Sequence, residues 1–246
     1  MHNNLIRLAT WNIHAGIGAD RRYNLARIIQ LLRSHVPDII ALQEVDSRGR
    51  MEDLPLDALT RALGEYSAEA RTIVAPDGHY GHVLLSHWPM HDVRLHDLSV
   101  PHREARFAIE ASLETPLGRL NVIAAHLGLM VGECRQQIER LAKIIGTSTG
   151  PLVVVGDFND WHGHVRHTFL PLLPDRSRHK TFPARYPLLD IDGIYCRPAG
   201  LLKESWADPA GRSASDHLPV IADLSLLVSD TQEVGAAALH PLDIHK

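Results

Sequence analysis

The chain has 246 residues, of which 25 are Lys or Arg and 29 Asp or Glu, giving a formal net charge of -4, and 45% are hydrophobic. That length and apolar content suffice for one sizeable core, while the slight acidity and the lack of a long basic run argue against a tight, sequence-independent grip on duplex nucleic acid. The two cysteines, Cys134 and Cys196, lie far apart without a Cys-x-x-Cys partner, so neither a disulfide framework nor a structural zinc site is expected.

The opening "MHNNLIRLATWNIH" has no basic-then-apolar signal pattern, and no apolar run is long enough to span a bilayer, so a cytoplasmic enzyme is expected. Residues 5–11, "LIRLATW", read as a strand. In 25–35, "LARIIQLLRSH", Leu25, Ile28, Ile29 and Leu32 form one helical stripe. A Pro-Asp break leads into a strand over 38–45, "DIIALQEV", and an amphipathic helix over 55–66. The middle is strand-rich: "AEARTIV", "HVLLS", "HDVRLHDL", "RFAIEASLE" and "RLNVIAAHL" are short and are separated by Pro, Gly and Asp. A helix over 132–146, closed by Gly146, feeds the apolar strand "PLVVVGDFN". After a Pro- and His-rich connection, 188–196 and 217–226 supply further strands, and 229–246 reads as a C-terminal tail. No linker divides the chain, so 1–228 is expected to form one domain. Strands with helices between them in both halves suggest two mixed sheets packed face to face with helices on the outer faces.

Several apolar runs finish in a polar group: "ATWN" in Asn12, "IIALQE" in Glu44, "VIAAH" in His126 and "LVVVGDFN" in Asp157 and Asn159, while "SDH" precedes the last strand. A carboxylate at the end of a buried strand is costly unless it is paired, hydrogen-bonded or metal-bound. One such end has an ordinary explanation as a turn or a first solvated residue. Five in one chain point to a shared site.

The ordered series "TWNIH", "ALQEV", "YGHVLLSHWP", "REARFA", "AAHLG", "VVVGDFND", "DIDGIY" and "SDHLPVIADL" resembles the endonuclease/exonuclease/phosphatase superfamily over residues 5–227. The resemblance implies a DNase I-like, four-layer α/β sandwich with the site where the strand ends of the two sheets converge. It also implies a hydrolase acting on phosphoesters.

Phosphoester hydrolysis needs a divalent cation, an activated water and donors for the transition-state oxygens. Glu44 is the expected main ligand of Mg²⁺ (or Mn²⁺), because hard cations select carboxylate oxygen. By the resemblance, Asn12 orients the metal or a phosphate oxygen and Asp216 is a second carboxylate near it. Asp157 is expected to orient or deprotonate the attacking water, and Asn159 to donate to that water or to a phosphoryl oxygen. His217 would contact a non-bridging oxygen while Asp192 accepts its other ring hydrogen, His126 adds a donor, and Arg106 resembles a family arginine on the substrate side. Two positions depart from the family pattern: His14 stands where several family nucleases have Asp, and His82 where "GNALLS" has Asn. If both histidines enter the site, Mn²⁺ becomes a candidate beside Mg²⁺. Otherwise they are loop histidines.

Duplex nucleases carry basic and intercalating loops, whereas here "DRSRHK" (175–180) is the main basic cluster. A small or lipid-derived phosphoester is therefore expected over duplex nucleic acid, with Trp88, Trp161 and Trp206 available to line an apolar subsite. The alternatives are a DNA or RNA nuclease using the same site and a catalytically silent binding protein. No Gly-x-Ser-x-Gly elbow supports a serine hydrolase.

Overall fold

The structure, a computed structural model, describes residues 4–50 and 55–226. The tail expected over 229–246 lies outside the described residues. Strand β1 (Ile6–Asn12) leads through α1 (Leu25–His35) to β2 (Ile39–Asp46); α2 (Pro55–Leu63) and the hairpin β3 (Tyr66–Ala75) and β4 (Gly78–Ser86) follow. Next come β5 (Met90–Asp97), β6 (Phe107–Thr115), β7 (Gly118–His126), α3 (Val131–Thr147) and β8 (Leu152–Asp157). The chain continues through α4 (His164–Phe169), β9 (Asp175–Arg176), β10 (Asp192–Arg197), β11 (Leu202–Ala207) and β12 (Val220–Leu224).

Local chemistry sets several of these boundaries. Asn24 caps α1 by accepting from the Arg27 N–H, and Leu25, Ile28 and Leu32 bury one face of that helix. Gly146 does not close α3 as expected: the helix continues to Thr147 and ends at Ser148 in extended conformation. The left-handed glycine comes later, at Gly150 (φ 75°). The strand expected from 188 begins only at Asp192. Three elements had no periodic signal to reveal them: α4 is six residues long, β9 only two, and β11 is an edge strand of sequence LKESWA without apolar alternation.

Two six-stranded sheets result, ordered β11-β12-β1-β2-β4-β3 and β5-β6-β7-β8-β10-β9. Each contains one parallel pair, β1 with β2 and β7 with β8, crossed over by α1 and α3 respectively; the other pairings are antiparallel. Between the sheets, Leu8, Ala41, Leu84, Ile109, Val122, Ala124, Val153, Val155 and Ile194 form one buried cluster. On the outer face of the first sheet, Ile28, Leu32 and Leu59 pack on Trp11, Leu42 and Leu85. On the second, Ile138, Leu141 and Phe169 pack on Ile123, Val154 and Tyr195. The molecule is a four-layer α/β sandwich. Both cysteines are buried in it.

Close backbone approach makes one glycine obligatory: a Cβ on Gly156 (φ 148°) would stand 1.8 Å from the Ala125 carbonyl oxygen in the β7–β8 pairing. Burial predicts where the remaining stability lies. Leu84→Ala, fully buried between the sheets, should cost about 2–5 kcal/mol in denaturant unfolding. Leu129→Ala, at a 64% exposed position, should stay within about 0.5 kcal/mol of the parent.

Candidate active site

Side chains alternate along a strand, so the parity that buries Leu8 between the sheets also turns Thr10 and Asn12 inward. The same rule carries Val122 and Ala124 on to His126, Val153 and Val155 on to Asp157, and Cys196 and Ile194 on to Asp192. The polar ends of both parallel pairs therefore meet at one end of the intersheet space. Glu44 arrives by another route. Leu42 pairs with Val83 but Val45 pairs with Gly81, so β2 holds one extra residue against β4, and Glu44 takes φ 59° in that bulge. The bulge turns the carboxylate of Glu44 to the Asn12 amide, which donates to Glu44 Oε1 at 2.9 Å and to Asp157 Oδ2 at 3.0 Å. One amide group ties the two sheets together.

Asp157 lies in the middle, 1% exposed. Its Oδ1 accepts the Asn159 backbone N–H at 3.0 Å, and His126 Nε2 and His217 Nε2 lie 3.7 and 3.9 Å from its Oδ2. Burial, and then the charge of Asp192, push its acid up to about 7 against the pull of His217, the Asn12 amide and the Asn159 N–H. His217 Nδ1 sits 2.8 Å from Asp192 Oδ2, which also accepts the Thr181 hydroxyl. Burial opposes charge on this ring, but Asp192 and Asp157 overcome it and raise His217 to about 10, so the imidazolium persists at neutral pH. His126 behaves oppositely: burial, reinforced by Arg106, holds it well below its ordinary value and neutral. The Asn159 side chain donates to the Leu127 carbonyl at 2.8 Å, and its backbone takes φ 47°.

Asp216 and His217 share one loop with both edges pinned. Trp11 Nε1 donates to the His217 carbonyl at 2.8 Å, and the Ser215 hydroxyl donates to the Asn12 carbonyl at 2.7 Å. Asp216 Oδ1 lies 3.5 Å from His14 Nδ1, which is 3.6 Å from Glu44 Oε2. His14 thus enters the site. Burial alone would raise Glu44, yet His14, His126 and the Asn12 amide bring it to about 2. His82 lies beneath the site rather than in a loop. It is buried, and burial holds it down to about 4 against the pull of the Ala124 backbone. Arg106 is buried as well: Nη1 donates to Glu104 Oε1 at 2.7 Å, while Nε has no partner among the described residues.

Sequence reasoning passed over Thr181, Ser215, Trp11 and Tyr80. The Tyr80 hydroxyl is pushed far up by burial and then by the Glu44 charge, and Tyr80 stood inside the quoted motif "YGHVLLSHWP". Of the three tryptophans expected near a subsite, Trp161 sits beside Phe182 (6.1 Å between ring centres), whose ring is 4.7 Å from His217. Trp206 instead stacks with His35 and Arg7, and Trp88 packs against the intersheet core. In "DRSRHK", Arg176 is engaged by Asp190 at 2.7 Å.

Two groups offer metal-ligating atoms. Asp157, Asp192 and His217 place theirs within 4.8 Å of one another, and Asp192 Oδ1 is buried without a hydrogen-bond partner among the described residues. Against burial, Asp192 and Asp157 hold a proton on the His217 ring there, and an ion binding through that ring would displace it. Glu44 and Asp216 are partly exposed, and both carboxylates face His14, whose ring they raise against its burial.

The model of the endonuclease/exonuclease/phosphatase family matches residues 9–217. The uncharacterised protein YbhP of Escherichia coli K12 is 29% identical over 248 residues, covering 89% of this chain and 96% of its own length. An endonuclease/exonuclease/phosphatase from Beutenbergia cavernae has a similar structure, with TM-score 0.76 and 21% identity over 90% of this chain and 72% of its own. The human nocturnin catalytic domain with bound sulfate superposes with TM-score 0.66 and 20% identity over 90% of this chain and 94% of its own.

Asp192 holds the proton on the His217 ring against burial and, after burial itself, strengthens the proton's hold on Asp157, and Asp192→Asn removes that contribution from both. A histidine raised above its unfolded value stabilises the fold fully below about 6.5, and that contribution is lost as pH climbs toward about 10. In metal-free protein, NMR titration should place the His217 ring midpoint near 10 in the parent and lower in D192N, where burial is still opposed by Asp157 and Asp216 but no longer by the Asp192 charge. The fall in melting temperature between pH 7 and pH 10 should shrink in parallel.

Proposed function

Because the chain belongs to the endonuclease/exonuclease/phosphatase family, we propose that it is a metal-dependent phosphoester hydrolase in which Asp157 prepares the attacking water. The observation that carries this reading is the surroundings of Asp157. It is a buried carboxylate fixed by Asn12 and Asn159, with one neutral and one charged histidine within 4 Å of it. A base raised to about 7 is half ionised near neutrality, where proton abstraction from water is most effective. The imidazolium of His217, held by Asp192, faces a phosphoryl oxygen and offsets the charge that builds there. His126 donates a ring N–H to the same group, and Arg106 adds to the burial that holds His82 and His126 neutral while lending positive charge to the substrate side. The Asn159 side chain, engaged by the Leu127 carbonyl, fixes the turn that presents Asp157.

Glu44 and Asp216 would hold Mg²⁺ or Mn²⁺, with Asn12 orienting Glu44 through its amide. Such an ion supplies charge neutralisation to the phosphoryl oxygens.

The substrate class follows from the rim. The loops that leave β7 and β8 and precede β10 carry exposed Leu129, Met130, Trp161, Tyr186 and Leu188, joined by Val131 at the start of α3. Apolar side chains exposed in number beside a polar site suit a ligand with an apolar or ring-bearing portion, so a small or lipid-derived phosphoester is favoured. A second reading, hydrolysis of single-stranded nucleic acid, is supported by Arg48 over the Tyr80 ring and Arg50 over the Tyr23 ring in the segment that follows β2, since paired basic and aromatic groups hold single strands.

With Mn²⁺ or Mg²⁺, the protein is expected to hydrolyse at least one of bis-p-nitrophenyl phosphate, p-nitrophenyl phosphate, a lysophospholipid and single-stranded DNA, with the lysophospholipid turned over faster than DNA. Asp157→Asn should lower that rate by about a thousandfold or more. It should leave the melting temperature at pH 8 unchanged or higher, because the parent carries a buried charge there that the amide does not. Full activity in D157N would remove Asp157 from its role, and no hydrolysis of any of the four would sink the hydrolase assignment.

A further inference from the structure

We propose that the apolar and basic rim beside the site is a membrane-docking surface, which seats the protein on a bilayer containing anionic phospholipid with the site turned toward the headgroups. The docking stands on the rim itself, and what it delivers to the site rests on the hydrolase reading.

Exposed apolar side chains are not spread evenly over the molecule. Among the described residues, six of the eleven large ones are Leu129, Met130, Val131, Trp161, Tyr186 and Leu188, each between 45% and 67% exposed. The three segments that carry them are joined. The Leu127 N–H donates to the Asp157 carbonyl at 2.9 Å and the Asn159 amide to the Leu127 carbonyl at 2.8 Å, so the chain leading to Leu129 lies against the one leading to Trp161. Trp161 then meets Phe182, with 6.1 Å between ring centres. Residues 181–189 fold back on themselves: the Thr181 N–H donates to the Leu189 carbonyl at 2.8 Å and the Leu188 N–H to the Phe182 carbonyl at 2.9 Å, which leaves Arg185, Tyr186 and Pro187 at the tip. At the base of this lobe the Phe182 ring is 4.7 Å from His217. One apolar band therefore runs from the exposed tips to the edge of the site.

Charge is concentrated in the same place. Between Trp161 and Leu189 the chain has five Lys or Arg against one acid, Asp175, in a protein whose net charge is -4. Arg176 is engaged by Asp190, and Asp175 accepts the Gly200 and Leu202 N–H groups. Arg166, Arg178, Lys180 and Arg185 are exposed, and the Arg185 guanidinium stands 5.5 Å from the centre of the Tyr186 ring. Aliphatic side chains that can enter the acyl boundary, Trp and Tyr rings that sit at headgroup level, and Lys and Arg that attract anionic lipid are the parts of an interfacial surface. The basic cluster "DRSRHK", too thin for a duplex, belongs to it.

Leu129, Met130, Val131 and Leu188 decide between occupants. A single strand of nucleic acid stacks its bases on aromatic rings, and aliphatic side chains add nothing to stacking. A protein partner favours an apolar centre depleted of charge, with Lys kept to its rim, whereas here a cation stands at the tip among the apolar groups. A bilayer accepts both at once, because acyl chains and anionic headgroups lie within a few ångströms of each other in depth.

The test needs no turnover. The full chain is mixed, in the presence of a chelator, with vesicles of phosphatidylcholine alone or of phosphatidylcholine with phosphatidylglycerol, and bound protein is separated by flotation. The parent should float with the phosphatidylglycerol vesicles, several-fold less with phosphatidylcholine alone, and should be released as salt rises. Lipids brominated in their acyl chains should quench the tryptophan fluorescence, and Trp161→Phe should remove most of that quenching. The double variant Leu129→Ser/Leu188→Ser, altered only at exposed positions and checked for its fold by thermal unfolding, should lower the partition coefficient by about tenfold or more. Arg185→Glu should weaken binding to the anionic vesicles and flatten its salt dependence. No flotation with either vesicle, quenching unchanged in W161F, or partition unchanged in L129S/L188S overturns the proposal. Absent flotation together with retention of a single-stranded oligonucleotide overturns it in favour of nucleic acid. The chemistry is read separately: a protein that docks in this way yet hydrolyses none of the four phosphoesters loses the hydrolase reading, and one that hydrolyses them but ignores vesicles loses the docking.

Discussion

The separation of the two sheets is the constraint on which the site depends. Apolar rows from both sheets interdigitate between them, and each row ends in a polar group at the same level. Leu8 leads to Asn12, Ala124 to His126, Val155 to Asp157 and Ile194 to Asp192. Packing at crystalline density fixes the spacing of the apolar rows, so the polar ends inherit the same spacing. A side chain two residues past a buried valine on the same face of its strand has a short lever arm and little freedom, which is what electrostatic preorganisation asks of its donors and acceptors.

Within that frame, charges of both signs are placed so that each defines the state of its neighbour. Asp192 stands behind His217 and makes it an imidazolium, and burial, with the same carboxylate second, makes Asp157 a weaker acid. Below them His126 and His82 stay neutral, pressed by burial and by the nearby Arg106 guanidinium, whose own charge is met by Glu104. A carboxylate raised toward neutrality and two uncharged histidines are unfavourable placements for folding alone, and the surrounding apolar core offsets them. Asn12 is the point of contact between the halves, since its amide hydrogens reach Glu44 in one sheet and Asp157 in the other.

Much of this was readable before any coordinates, and for identifiable reasons. The period-3.6 stripe of Leu25, Ile28 and Leu32 and the unbroken "LVVV" of β8 each admit one reading, and the ends of the apolar runs named Asn12, Glu44, His126, Asp157 and Asn159. The features that escaped depend on contacts between distant parts of the chain. Thr181 matters because its hydroxyl meets Asp192, and Ser215 because it meets the Asn12 carbonyl. Neither pairing leaves a local pattern. The bulge at Glu44 is also silent in sequence: strict alternation from Ala41 sends Gln43 inward and Glu44 outward, and only an extra residue against β4 lets both polar groups face the interior. Gly146 misled because glycine near a helix end is most often its terminator, whereas here the chain carries its left-handed turn four residues later.

The loop of Ser215, Asp216 and His217 explains why the two halves of the site act as one. Adjacent residues in it point to opposite sheets: Asp216 toward His14, in the turn that leaves the first sheet, and His217 toward Asp192 at the start of β10 in the second. The groups proposed to hold the cation, Glu44 and Asp216, thus belong to one side, and those proposed to prepare water and receive phosphoryl charge, Asp157 and His217, gather on the other. The distance between the two functions is one peptide unit, and that unit is fastened by Trp11 and Ser215 to β1 itself. Any motion that carried the sheets apart would have to break the Asn12 amide bonds and this loop together. The proposed metal side and water side are therefore fastened to one strand, with the exposed apolar side chains of the surrounding loops outside that fixed frame.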